Sequence, residues 1–242
     1  MNTIKSLVLV ALTVFSVVAC AQESIKEEMA KKYPEVKIEK ITKTAYGNLF
    51  EVFAGNEIFY TDEKATFLLL GTLVDTKTRT NISQDRLQKL TAIKFDELPL
   101  ENAIKLVRGN GSRRIAIFED PNCGYCKKFE QDVNSIDNLT AYIFPYPILA
   151  QDSIDKSKSI WCSTDRLKAW QDFMLREKAP TAPGTCETPI DKVLALGRKL
   201  NVTGTPTTFF EDGERISGAL PKDRIEAKLV ATKMLSTVEA KK

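Results

Sequence analysis

Residues Ile115 to Val133, IAIFEDPNCGYCKKFEQDV, limit what this chain can fold into more than any other stretch. The apolar run Ile115 to Phe118 is bounded by Glu119-Asp120-Pro121-Asn122, and Phe129 and Val133, four apart, begin a helical apolar stripe. A strand therefore feeds a helix, predicted to begin at Cys123-Gly124-Tyr125-Cys126. The first sulfur then lies beside backbone N–H groups without intrahelical partners and beside the positive end of the macrodipole, which both favour negative charge. A thiolate is the attacking species in disulfide exchange. A second cysteine three residues on shares the helical face and can close a small ring. The pattern is that of a two-electron redox centre.

The same spacing is half of a zinc site, and Cys162 and Cys186 would complete four sulfur ligands. These two are isolated residues, not a second C-x-x-C, so the zinc pattern is incomplete. The chain has no histidine, which excludes mixed Cys/His zinc sites and Cys-His or Ser-His-Asp catalysis. Redox chemistry needing neither metal nor cofactor is the expectation.

Met1 to Ala21 carries Lys5 ahead of an apolar run from Leu7 to Ala19, too short for a typical transmembrane helix and ending in small residues. It reads as a secretory signal. Two cleavages fit: Ala19-Cys20-Ala21 obeys the small-x-small rule, while Val17-Val18-Ala19-Cys20 resembles a bacterial lipobox whose Cys20 becomes a lipidated N-terminus. Either way four cysteines remain, an even number suited to an oxidising compartment. The formal charge of +3, from 35 basic and 32 acidic residues, gives no nucleic-acid footprint. Arg113-Arg114 is expected to be a solvated face.

Residues 22–80 read as one helix followed by strands. Ser24 and Glu27 resemble a capping box, and Ile25, Met29 and Tyr33 form a stripe that Pro34 stops. Val36 to Ile41, Leu49 to Ala54, Glu57 to Tyr60, Thr66 to Leu70 and Leu73 to Val74 are β-rich, with Gly55-Asn56 as a two-residue hairpin turn. So small a unit buries little and points to a homodimer. Leu87, Leu90 and Ile93 mark a helix within 81–99, either a connector or a surface helix.

The catalytic domain is placed at residues 100–242. Ala103 to Val107 is predicted to form a hairpin with the Arg113 strand through Asn110-Gly111. Leu139 to Phe144 is a further strand, Ser153 to Arg176 one long helical segment holding Cys162, and Ile190 to Leu200 an amphipathic helix. A Cys162–Cys186 bridge would close a loop of about 25 residues and contribute about 3–4 kcal/mol by the chain-entropy estimate. Pro206 precedes an apolar strand, where a cis or a plain trans proline fits. Glu211 to Glu214 is a hairpin turn into Arg215 to Gly218, and Ile225 to Leu235 a closing helix.

Cys123-Gly124-Tyr125-Cys126 after a strand, Gly204-Thr205-Pro206 before the last hairpin, and the Trp161-Cys162 to Cys186 pair together resemble the DsbC/DsbG family of bacterial thiol:disulfide interchange proteins, with the tetrapeptide nearer the DsbC isomerases. The resemblance implies an α+β cystatin-like dimerisation domain, a linker helix, and an α/β thioredoxin-fold catalytic domain with a helical insertion. It implies a V-shaped homodimer whose partly apolar cleft receives misfolded exported proteins in the periplasm, kept reduced by a membrane thiol reductase. Carried over, Cys123 is the nucleophile, Cys126 the resolving thiol, Pro206 a cis-proline facing them with Thr205, Gly124 and Tyr125 as support, and Cys162–Cys186 a structural disulfide. Where many members place histidine after the second cysteine, Lys127 stands here, either a cation near the thiolate or a solvated side chain. Six positions before Cys123, where thioredoxins keep a buried acid, stands Ile117. The alternatives are a DsbG-like reductase and holdase chaperone, a thiol oxidase, and a structural zinc protein.

Overall fold

The computed structural model describes residues 20–239, with side chains of the last helix through Lys233; the signal-sequence reading through residue 19 lies outside them. The chain divides into two units, one ending at Leu90 and the other starting at Thr91.

In the first unit, helix α1 (20–32) lies against a three-stranded antiparallel meander of β1 (Ile38–Lys43), β2 (Phe50–Ala54) and β3 (Glu57–Thr61). The helix is already formed at residue 20, so Ser24 sits inside it and does not cap it. Alternation along β2 sends Phe50, Val52 and Ala54 into a core with Ile25 and Met29 of α1. Gly55 and Asn56 both have positive φ, as a two-residue hairpin requires, and Ala54 pairs with Glu57 across it.

On the other β2 face Glu51, opposite Tyr60 in the register, is buried yet paired with Arg86 of helix α2 (Ile82–Thr91) at 2.7 Å. The Tyr60 hydroxyl meets Ser83 Oγ at 2.5 Å. These contacts pack α2 on the first unit. The strands expected at Thr66 to Leu70 and Leu73 to Val74 reduce to single bridges, Tyr60 to Leu69 and Val74 to Asn81. The side chains of this stretch stay largely in solvent: Phe67, Leu69 and Val74 are exposed, and Leu70 is 79 % exposed.

The second unit is a five-stranded sheet in the order β4-β6-β5-β7-β8. Strand β5 (Arg113–Glu119) runs parallel to β6 (Leu139–Pro145), joined by helix α3 (Gly124–Val133); the other pairings, with β4 (Ile104–Val107), β7 (Thr207–Phe210) and β8 (Arg215–Ser217), are antiparallel. A parallel pair needs a crossover element, and α3 supplies it. Because β5 is central, both its faces are buried. Ile115 and Ile117 face a core containing Phe129 and Val133, whereas Ala116 and Phe118 face Phe144, Val193 and Phe209.

β4 and β5 do not form the expected hairpin. β6 lies between them, and Arg108, just past β4, exchanges both backbone hydrogen bonds with Leu139. The turn glycines Gly109 and Gly111 have positive φ but redirect the chain past a neighbouring strand. The long helix expected from Ser153 to Arg176 is two: α4 (Gln151–Trp161) and α5 (Arg166–Arg176). Cys162 ends the first, and Asp165 starts the second by accepting from the Lys168 N–H at 2.9 Å. With α6 (Ile190–Lys199) this helical insertion leads into β7, and α7 (Lys222–Glu239) closes the unit.

The arginine pair is not a solvated face. Arg113 binds Glu226 of α7, and Arg114 binds Glu211 at 2.6 Å and Asp96 at 3.0 Å. The residues just before Leu100 also belong to this unit: Phe95 and Leu98 are buried in its core, and Ile93 donates its N–H to the Gly213 carbonyl.

Candidate active site

The β5–α3 turn builds the site. Cys123 is the N-cap of α3, in extended conformation at φ −75° and ψ 113°, and its sulfur accepts from the Cys126 N–H at 3.2 Å. The sulfur thereby takes the place of a capping oxygen on one of the orphan N–H groups of the helix. Cys126, one turn on, is fully buried, and both residues are thiols here. Burial first, and then the nearby Glu119 carboxyl, push the Cys126 thiol far above the ordinary cysteine range.

From the far side of the unit, the loop before β7 reaches the first sulfur. The Thr205–Pro206 peptide is cis, and Cys123 Sγ donates to the Thr205 carbonyl at 3.3 Å. Cys123, Cys126, Thr205 and Pro206, up to 83 positions apart in the chain, thus meet at one place. Gly124 opens the helix, and Tyr125 projects outward, 73 % exposed. Lys127 sends its ammonium to Glu177 at 3.1 Å and to the Phe173 ring at 5.2 Å.

Asp120 holds the rim. Its buried carboxylate accepts from the backbone N–H groups of Asn122, Ile148 and Leu149 and from the Ser153 hydroxyl, all at 2.8–2.9 Å. Four donors on one carboxylate lock the turn before Cys123 to the loop after β6. That loop presents the half-exposed side chains Ile148 and Leu149 as apolar surface.

Away from this cluster, Cys162 and Cys186 form a disulfide with their Cα atoms 5.7 Å apart. It ties the end of α4 to the loop before α6, and it takes from the zinc reading two of its four sulfurs. Cys20 is exposed in α1.

Beneath the cysteines lies a feature missed by looking only six positions upstream of Cys123. Glu119 ends β5 on the same face as Ile115 and Ile117, under α3, and Glu130 lies one turn beyond Cys126; both are completely buried. Glu130 accepts from Trp170 Nε1 at 2.7 Å and Asn134 Nδ2 at 2.8 Å, whereas neither Glu119 oxygen has a donor. Burial, then the facing Glu130, then Cys123 raise the Glu119 carboxyl well above the usual range; burial also raises Glu130, against its hydrogen bonds. The spacing of Glu130 four after Cys126, and of Glu119 in step with Ile115 and Ile117, was the available signal.

Residues 100–233 match the family described as thioredoxin-like domain, and residues 16–84 the disulfide bond isomerase protein N-terminal domain. The probable thiol:disulfide interchange protein DsbC of Bordetella pertussis is 47% identical over 208 residues, covering 86% of this chain and 74% of its own. The thiol:disulfide interchange protein DsbC of Escherichia coli is 35% identical over 111 residues, 44% of this chain and 46% of that one. Among solved structures, a disulfide interchange protein from Neisseria gonorrhoeae matches with a TM-score of 0.54 at 36% identity, over 56% of this chain and 98% of that one.

Proposed function

Because this chain belongs to the DsbC/DsbG family of thiol:disulfide interchange proteins, and is a thiol-disulfide oxidoreductase of the isomerase kind, we propose that it rearranges and reduces incorrect disulfides of exported proteins through Cys123 and Cys126. The observation that carries this is the seating of Cys123 Sγ as a helix cap, within reach of both the Cys126 N–H and the Thr205 carbonyl. Cys123 attacks a wrong disulfide and forms a mixed disulfide with one substrate sulfur. A second substrate thiol then displaces Cys123, which isomerises, or Cys126 displaces the substrate, which reduces.

Thr205 and Pro206 flank the attacking sulfur, and Gly124, Tyr125 and the apolar pair Ile148 and Leu149 receive the substrate chain. The N-terminal unit pairs two copies into a homodimer, and the protein acts in the periplasm after its leader is removed. Isomerisation requires a reduced pair, so a membrane thiol reductase supplies electrons. Cys20 is the lipid-bearing residue if the leader is cut before it.

The test is refolding of a scrambled multi-disulfide protein with catalytic amounts of the mature chain, beside a chain starting at Thr91. The cut belongs there and not at Leu100, because Phe95 and Leu98 are core residues of the second unit. Rescue by the intact chain alone supports isomerisation by a dimer. Equal oxidation of a fully reduced substrate by both forms points to a simple thiol oxidase.

A further inference from the structure

Two carboxyls, Glu119 and Glu130, and one thiol, Cys126, share a pocket in which all three are fully buried. The titratable groups acting on it are Glu119 from β5 and Cys123, Cys126 and Glu130 from α3, while α5 contributes only the neutral indole of Trp170. Two ionised carboxylates in such a place repel each other without a cation to offset them, so the pair keeps one proton between them. The donors decide where it resides. Trp170 and Asn134 both serve Glu130, which is thereby equipped to carry the charge, whereas Glu119 has no donor and is satisfied only by holding the proton and giving it to Glu130.

Resting on the assignment of Cys123 and Cys126 above, we infer that Glu119 and Glu130 form a proton relay that ionises Cys126 when it resolves a mixed disulfide. Cys126 Sγ–H passes its proton to Glu119 as Glu119 passes its own to Glu130, so the pocket carries one negative charge before and after the transfer. The Cys126 thiolate attacks Cys123 Sγ; the Cys123–substrate S–S bond breaks and the Cys123–Cys126 S–S bond forms. The substrate sulfur leaves with the electron pair as a thiolate, so the substrate disulfide is reduced by two electrons and the cysteine pair oxidised by two. The neutral acid pair then releases one proton to solvent. In reverse, when an incoming thiol opens the Cys123–Cys126 bond, the relay returns a proton to Cys126. A buried thiol that could ionise only by losing its proton to distant water would resolve slowly, and the relay removes that barrier. Exchange driven by a substrate thiol at Cys123 does not use Cys126, so the relay favours release by reduction over release by isomerisation.

The experiment treats the reduced full-length mature protein with dithiobis-nitrobenzoate and follows release of two nitrothiolates by stopped-flow absorbance. The first release reports Cys123 attacking the reagent and the second reports Cys126 resolving the mixed disulfide. Glu119→Gln should slow the second release far more than the first, on the order of a hundredfold near about pH 7. Its second release should then climb toward the wild-type rate by about pH 9 as solvent base takes over, a profile that a merely structural role would not give. Glu130→Gln should slow the second release in the same direction. A second release in Glu119→Gln that matches wild type, or that is slowed equally at every pH, overturns the relay. Absence of the first release in wild type instead overturns the assignment of Cys123. Redox-difference infrared spectra of the unsubstituted protein give an independent reading: a protonated-carboxyl band should shift between dithiol and disulfide forms, and its absence also overturns the relay.

Discussion

The second unit holds two pairs of cysteines built for opposite ends. Cys162 and Cys186 are 24 positions apart and already joined, one at the end of α4 and the other in a loop. Cys123 and Cys126 are three apart on one helix, left as thiols, with one sulfur capping the helix and the other buried over two acids. The sulfur chemistry is identical, and only the surroundings differ. A link across a long loop constrains the unfolded chain, whereas a link across three residues constrains it little and is free to open and close. Electrostatics at the helix start and the acid pair then decide how the sulfurs exchange protons and electrons.

The largest expected effect separates the pairs outright. Cys123→Ser should abolish disulfide exchange, and Cys126→Ser should let mixed disulfides with substrate accumulate, visible as thiol-sensitive adducts by mass spectrometry. Equal trapping by both variants would erase the division between attacking and resolving sulfur. Replacing both Cys162 and Cys186 with Ser should do the reverse, lowering unfolding free energy by about 3–4 kcal/mol while leaving exchange at Cys123 intact in the folded protein. Denaturant titration beside a thiol-exchange assay checks it; a loss of exchange in the still-folded variant would mean the second pair is not merely structural.

Much of this contrast was legible in the sequence, because it rests on local rules. A C-x-x-C between an apolar run and a helical stripe specifies strand, turn and helix within nineteen positions, Ile115 to Val133. What failed was long-range. Asn110-Gly111 reads as a hairpin turn, yet β6, some thirty residues on, inserts between the strands that the turn joins. The break between α4 and α5 depends on Asp165 capping the second helix, a signal overshadowed by the apolar residues Ile160, Trp161, Leu167 and Trp170 on either side of it. The solvent-facing reading of Arg113 and Arg114 judged residues by their neighbours in the chain, and the search for a buried acid at one fixed offset from Cys123 did not reach Glu119 or Glu130. Arg114 finds Glu211, and Glu130 finds Trp170, only because the sheet and α5 bring together residues 97 and 40 positions apart.

A smaller effect probes the layer beneath the exchanging pair. Trp170→Phe removes the indole N–H from Glu130 and leaves a buried carboxyl with one donor fewer. It should cost about 2 kcal/mol of stability, measured by urea unfolding, with Cys162–Cys186 unaffected. A variant as stable as wild type would show that Glu130 does not depend on the indole, and the two cysteine pairs would then differ less in their support than the structure indicates.

The smallest effect is a matter of sign. A carboxyl raised in the folded state binds its proton more tightly there than in the unfolded chain. Its contribution to stability is fully present below the ordinary glutamate range and is lost as pH rises through the folded value. Glu119→Gln replaces the titrating proton with a permanent N–H donor toward Glu130 and so removes that loss. Urea midpoints of the reduced proteins at about pH 5 and about pH 9 should therefore show the difference between Glu119→Gln and wild type growing in favour of the variant as pH rises. The comparison between the two proteins cancels the titrating groups remote from the acid pair, including Asp172, whose depression to about 2 by Lys168 and Arg176 matters only in strong acid. A difference that shrinks with rising pH would mean that Glu119 is ionised and stabilised in the fold. The exchanging pair would then rest on a fixed negative charge, and the proton that sets it apart from Cys162 and Cys186 would have to come from elsewhere.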